Sequence, residues 1–71
     1  METILRIKKA RHEELLALVE LVSRCRNVDI EVFKPRFSLT YEIRIKGPTE
    51  GVEKARFDLA EFASRVGWKV E

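Results

Sequence analysis

The run Phe37-Ser38-Leu39-Thr40-Tyr41-Glu42-Ile43-Arg44-Ile45-Lys46-Gly47 decides the fold. Phe37, Leu39, Tyr41, Ile43 and Ile45 alternate without a break with Ser38, Thr40, Glu42, Arg44 and Lys46. Successive side chains of an extended chain point to opposite faces, so the run predicts a strand with one apolar and one polar side. Such a strand belongs in the middle of a sheet that buries one face and leaves the other in water.

The segment before it supplies a partner. In Val28–Lys34, Val28, Ile30 and Val32 alternate with Asp29, Glu31 and Phe33. Pro35 cannot take a positive φ, which excludes a two-residue primed turn at Pro35-Arg36. A loop over Lys34–Phe37, with Pro35 second in a type I turn, predicts a hairpin. Its register sets Val32 opposite Leu39, Ile30 opposite Tyr41 and Val28 opposite Ile43, all toward the core. The same register sets Asp29 opposite Glu42, a like-charge pair that needs Arg6 or Lys8 beside it.

Downstream, Gly47-Pro48-Thr49-Glu50 is a helix start: a proline near the first helical position, a hydroxyl, then an acid. Gly67 stops that helix, which spans Thr49–Val66 with Val52, Ala55, Leu59, Phe62, Ala63 and Val66 on one face. A short last strand, Trp68–Glu71, turns Trp68 and Val70 inward. At the other end of the chain Glu2–Lys8 reads as a strand, with Thr3, Leu5 and Ile7 on one side and Ile4, Arg6 and Lys8 on the other. A helix from about Arg11 to Arg26 follows, its stripe formed by Leu15, Leu18, Val19, Val22 and Cys25 and flanked by Leu16 and Leu21. Its acidic first turn and basic last turn suit the helix dipole. It has no Ser, Thr, Asp or Asn cap, and Asn27 ends it in the left-handed region.

The order is therefore β-α-β-β-α-β. Right-handed crossovers give an antiparallel sheet of order 4-1-3-2 with both helices on one face, a ferredoxin-like two-layer sandwich of the α+β class. Residues 1–71 form one domain, and a chain of 71 residues supports one modest core. Fourteen basic and 12 acidic residues are interspersed, giving a net charge of +2 and a solubilising surface. A single cysteine excludes an internal disulfide and a cysteine metal cluster. The first residues, METILRIKK, do not read as a signal peptide, and no apolar run is long enough to cross a bilayer. The expectation is a cytoplasmic or recombinantly expressed chain.

Each candidate site has a plainer reading beside it. The open sheet face carries Ile4, Arg6, Lys8, Asp29, Glu31, Phe33, Ser38, Thr40, Glu42, Arg44, Lys46 and Lys69. RNA-recognition domains of this topology stack bases on aromatics there, whereas these central strands offer none, so a solvated face of cross-strand ion pairs is expected. Lys8, Lys9, Arg11 and His12 precede the first helix, where acylphosphatases of this topology place a glycine-rich loop and an arginine. No glycine is present here, and Glu13 and Glu14 compete for the helix end, so a solvated basic loop is expected. His12 is the sole histidine and can build no pair, triad or zinc site. Cys25 on the core stripe reads as a buried, inert thiol. Glu13-Glu14 and Asp58–Glu61 read as helix-surface carboxylates, and Trp68 as a plug at the end of the core. Phe57 points away from the stripe of its helix, beside Ala60 and Ser64. With Leu16 it marks a candidate contact for a partner or a second copy. No catalytic, cofactor-binding or metal-binding residues are expected.

From Tyr41 to Val70 the run Glu-Ile-Arg-Ile-x-Gly, a helix start, Glu-x-Val, a charged helix and Val-Gly-Trp-Lys-Val resembles the second half of de novo designed ferredoxin-like proteins. The lack of any glutamine and the charge-laden helix surfaces fit that resemblance. Cys25, Gly51, the uncapped first helix, the Asp29–Glu42 pair and exposed Phe57 depart from an idealised design. Tyr41–Val66 is also similar to the last strand and helix of KH domains, although their GxxG loop is missing. The first resemblance implies a stable monomer with no enzymatic or natural biological activity. The second implies nucleic-acid binding, and a small nucleic-acid-binding module using the basic residues of the open face is the alternative expectation. A homodimer through Phe57 or the edge of the second strand, where Lys34-Pro35 gives modest protection, is a third expectation. No cofactor and no membrane contact are expected.

Overall fold

A computed structural model describes residues 1–71. The elements are β1 (Glu2–Lys8), α1 (His12–Arg26), β2 (Asp29–Phe33), β3 (Thr40–Lys46), α2 (Thr49–Val66) and β4 (Lys69–Val70). The four strands form one antiparallel sheet of order β2-β3-β1-β4, the ferredoxin-like order expected from the sequence. Leu5 and Ile7 of β1 and Tyr41, Ile43 and Ile45 of β3 face the helices and are buried. Leu15, Val19 and Val22 of α1 and Val52, Ala55, Leu59 and Ala63 of α2 close over them. All 14 buried residues are hydrophobic and form one cluster, completed by Val28 and Trp68. Trp68 meets the Phe62 ring edge-on at 5.5 Å between centroids, which seats it as the expected plug.

The helix ends follow their residues. Asn27 takes φ 53° and its backbone N–H reaches the Ser23 carbonyl; the Ser23 hydroxyl donates to the Val28 carbonyl at 2.6 Å. Gly67 takes φ 87° and Trp68 N–H closes on the Ala63 carbonyl at 2.8 Å. Neither helix start has a side-chain cap, at Arg11 as expected and also at Pro48. Gly51 has a packing reason. A methyl group there would lie 3.0 Å from both the Arg26 carbonyl oxygen and Val28 Cγ1, so a side chain at this position would push the end of α1 or Val28 back by a few tenths of an ångström.

Four expectations are corrected. The third strand begins at Thr40, not Phe37, and Phe37 and Leu39 are 100% and 76% exposed instead of inward. The hairpin register is displaced by four residues along β3: Val32 faces Ile43 and Ile30 faces Ile45. That register keeps the apolar residues on the core side. It also replaces the like-charge pair of Asp29 and Glu42 with Asp29 opposite Lys46 and Glu31 opposite Arg44. The intervening segment closes locally instead of laddering. Ser38 N–H donates to the Pro35 carbonyl and Thr40 N–H to Ser38 Oγ, each at 3.1 Å. Phe37 at φ 66° is the third residue of that turn, a position that usually goes to Gly or Asn. As part of the same displacement, Pro35 takes the first place in the turn and not the second.

The third correction is Cys25, which is exposed. It lies at the margin of the α1 stripe, in the groove between the two helices, where neither layer reaches over it. The fourth concerns Val66 and Val70, both substantially exposed because α2 and the two-residue edge strand β4 end there with nothing packed beyond them.

Candidate functional site

The open face of the sheet reads in rows. Asp29, Lys46 and Glu2 lie side by side, then Glu31, Arg44 and Ile4, then Phe33, Glu42 and Arg6. Lys46 Nζ is 3.3 Å and Arg44 Nε 3.8 Å from the Glu2 carboxylate, and Arg6 Nη2 donates to Glu42 Oε1 at 3.0 Å. At the far corner Lys8 meets Glu71 at 2.6 Å, and this bond holds the Glu71 carboxyl below the ordinary glutamate range. The central strands thus present cations already bound to neighbouring carboxylates. The one aromatic of this face, Phe33 on the edge strand, is 60% exposed and shares a shallow depression with Ile4, Glu31, Glu42 and Arg44.

The basic residues before α1 are not a unit. Lys8 is engaged by Glu71, and Arg11 Nη1 lies 3.7 Å from Glu14. Lys9 takes φ 65° and has no carboxylate partner. His12 Nδ1 lies 3.4 Å from the Tyr41 hydroxyl, with the two rings tilted at 6.1 Å. Lys34 Nζ stands 5.7 Å from the Tyr41 ring centre, so a cation covers the outer face of that buried aromatic.

On the helix layer, Arg26 forks onto Asp58, Nε to Oδ2 at 2.8 Å and Nη2 to Oδ1 at 3.3 Å. These hydrogen bonds, then the carboxylate charge, raise the guanidinium pKa above its ordinary value. The pair forms one wall of an interhelical groove of about 360 Å³ whose floor is Leu18, Val22 and Phe62 and whose rim includes Leu21 and Cys25. Phe57 is 65% exposed as expected and lines a separate depression with Arg26, Glu53, Lys54 and Asp58. Leu16 does not line that depression. Glu61 is bound to Arg65 and Glu50 to Lys54, each at 2.7 Å, and the latter bond lowers the Glu50 pKa.

No group of three His, Cys, Asp or Glu side chains comes together in the geometry of a metal site. No helix is long and apolar enough to cross a membrane.

Sequence reasoning missed the end of the molecule where β1 finishes and β3 begins. Leu39 lies in a depression with Lys8, Lys9, Lys69 and Val70, and the loop before it carries Lys34, Arg36 and Phe37. The interleaving of aromatic and basic residues in Phe33-Lys34-Pro35-Arg36-Phe37 was the signal, and assigning Phe37 to a strand concealed it.

No protein-family model matches the chain, and no curated protein matches it.

Proposed function

We propose that this chain is a stable, design-like ferredoxin-fold domain without catalytic chemistry, acting as a monomer. The observation that carries the reading is the ladder of ion pairs on the open face. The residues that a catalytic or base-reading sheet would leave free, Arg6, Arg44 and Lys46, are each engaged by a carboxylate of the same sheet. The charge on this face therefore supports strand register. Gly51, which departs from an idealised sequence, sits where α2 packs closely against the end of α1, which supports reading that departure as a fit to this backbone.

Two measurements test this. Light scattering is expected to give the mass of one 8.3 kDa chain, unchanged in Phe57→Glu. A dimer that Phe57→Glu dissociates overturns the monomer in favour of a helix-face interface. Electrophoretic shifts with RNA and single-stranded DNA are expected to vanish at moderate salt. Sequence-preferring binding that survives such salt overturns the reading and restores a nucleic-acid module.

A further inference from the structure

Of the 14 lysines and arginines, nine have a carboxylate within ion-pair distance. The other five are Lys9, Lys34, Arg36, Arg56 and Lys69, and all but Arg56 belong to the end of the molecule formed by the β1–α1 loop, the β2–β3 loop and β4. The same end carries Phe37 with its side chain wholly in water, and Leu39 beside it nearly so. Glu71 at this corner is neutralised by Lys8, which leaves Glu13 at the start of α1 as its unpaired carboxylate. Burial elsewhere does not require Phe37 or Leu39, because the core closes without them.

We propose that this end docks on an anionic lipid bilayer, with Phe37 and Leu39 entering the interface and Lys9, Lys34, Arg36 and Lys69 meeting the headgroups. Charge complementarity selects an anionic surface, and the apolar tip selects one with an interior. A flat bilayer fits better than a nucleic-acid strand for two reasons. Leu39 gains from hydrocarbon but offers no ring for stacking. A strand leaving the loop along the sheet would also meet only cations already engaged, Arg6 by Glu42 and Lys8 by Glu71, in the adjoining depression. A bilayer touches only the tip. A short apolar tip escapes a search for long apolar runs, so this contact departs from the expectation of none.

The test is co-sedimentation of the full chain with vesicles of phosphatidylcholine alone and of phosphatidylcholine containing about one third phosphatidylserine. The chain is expected to partition onto the anionic vesicles and to stay free of the neutral ones. Phe37→Ser with Leu39→Ser is expected to lower the partition coefficient about tenfold, and Lys34→Ala with Arg36→Ala by a similar factor. Phe57→Ser, far from this end, is expected to leave it unchanged. Thermal melts of the loop variants are expected to match the parent's, since both side chains lie outside the core. Failure of the parent to partition, equal partition of parent and loop variants, or loss of the melt in those variants overturns the proposal. So does tighter binding to an oligothymidylate strand that the same loop variants abolish, which assigns the tip to nucleic acid instead.

Discussion

The two halves of Phe37–Lys46 have the same alternating pattern and opposite fates. From Tyr41 onward the apolar residues Tyr41, Ile43 and Ile45 are buried, and each polar one faces an oppositely charged residue on at least one neighbouring strand. Before Thr40 the apolar residues Phe37 and Leu39 lie in water, and the backbone closes into a turn. The alternation is local and identical in both halves. What differs is the partner: β2 and β1 flank the second half in register, and the first half extends past the end of β2 at Phe33. Period two marks where a strand is permitted. Neighbours with matching charge and volume decide where one forms.

This contrast can be broken most sharply by putting one substitution in both halves. Ile43→Asp places a carboxyl at a fully buried position on a central strand. Stability at this length is about 4–10 kcal/mol, by the usual 0.05–0.15 kcal/mol per residue. Loss of the isoleucine side chain and burial of a carboxyl, even protonated, removes most or all of that. Circular dichroism is expected to show no cooperative melt. Leu39→Asp, four residues earlier on the nominally same face, is expected to change the urea midpoint by less than about 0.5 kcal/mol equivalent. Equal damage from the two would return Leu39 to the core and erase the contrast.

A smaller effect is expected at Phe37. Its φ of 66° costs a non-glycine residue about 1–2 kcal/mol, and its fully exposed ring recovers none of this by packing within the chain. Phe37→Gly relieves that conformation but adds freedom to the unfolded chain, so a net stabilisation of about 0.5–1 kcal/mol is expected from urea unfolding. Destabilisation would mean that the ring packs onto the fold after all.

Much of the fold was legible because its signals are local or self-consistent. Asn27 and Gly67 end their helices in the left-handed region, β1 has the expected bounds, and helix crossovers leave little choice of sheet order. Hairpin register was not legible from apolar residues alone. Displacement by an even number of residues leaves Ile30 and Val32 facing the core, so the apolar pattern is satisfied equally by both registers. The like-charge contact of Asp29 with Glu42 was the discriminating clue, and it pointed to the shifted register. Cys25 misled in a related way. Helical spacing assigns a residue to a stripe but cannot tell how far the opposite helix extends over its margin, and here the groove opens beside it. The loop end stayed hidden because whether Lys9, Lys34, Arg36 and Lys69 find a carboxylate depends on which carboxylates the other cations occupy, a property of the assembled surface.

The register itself yields the finest test. Asp29 stands opposite Lys46 across the β2–β3 pair, while Lys46 Nζ is held 3.3 Å from the Glu2 carboxylate on β1, so Asp29 acts on a cation already paired on its other flank. A double-mutant cycle of Asp29→Ala and Lys46→Ala is therefore expected to give a favourable coupling at the lower end of about 0.2–1 kcal/mol, read from urea midpoints at low salt. The coupling should fall as salt screens it, since the groups are exposed. A parallel cycle of Asp29→Ala with Glu42→Ala is expected to show no coupling, because Glu42 lies opposite Phe33 and is held by Arg6. An unfavourable Asp29–Glu42 coupling, with none between Asp29 and Lys46, would instead place β2 four residues back along β3. Leu39 would then return to the core beside Val32, and the exposed tip that separates the two halves would not exist.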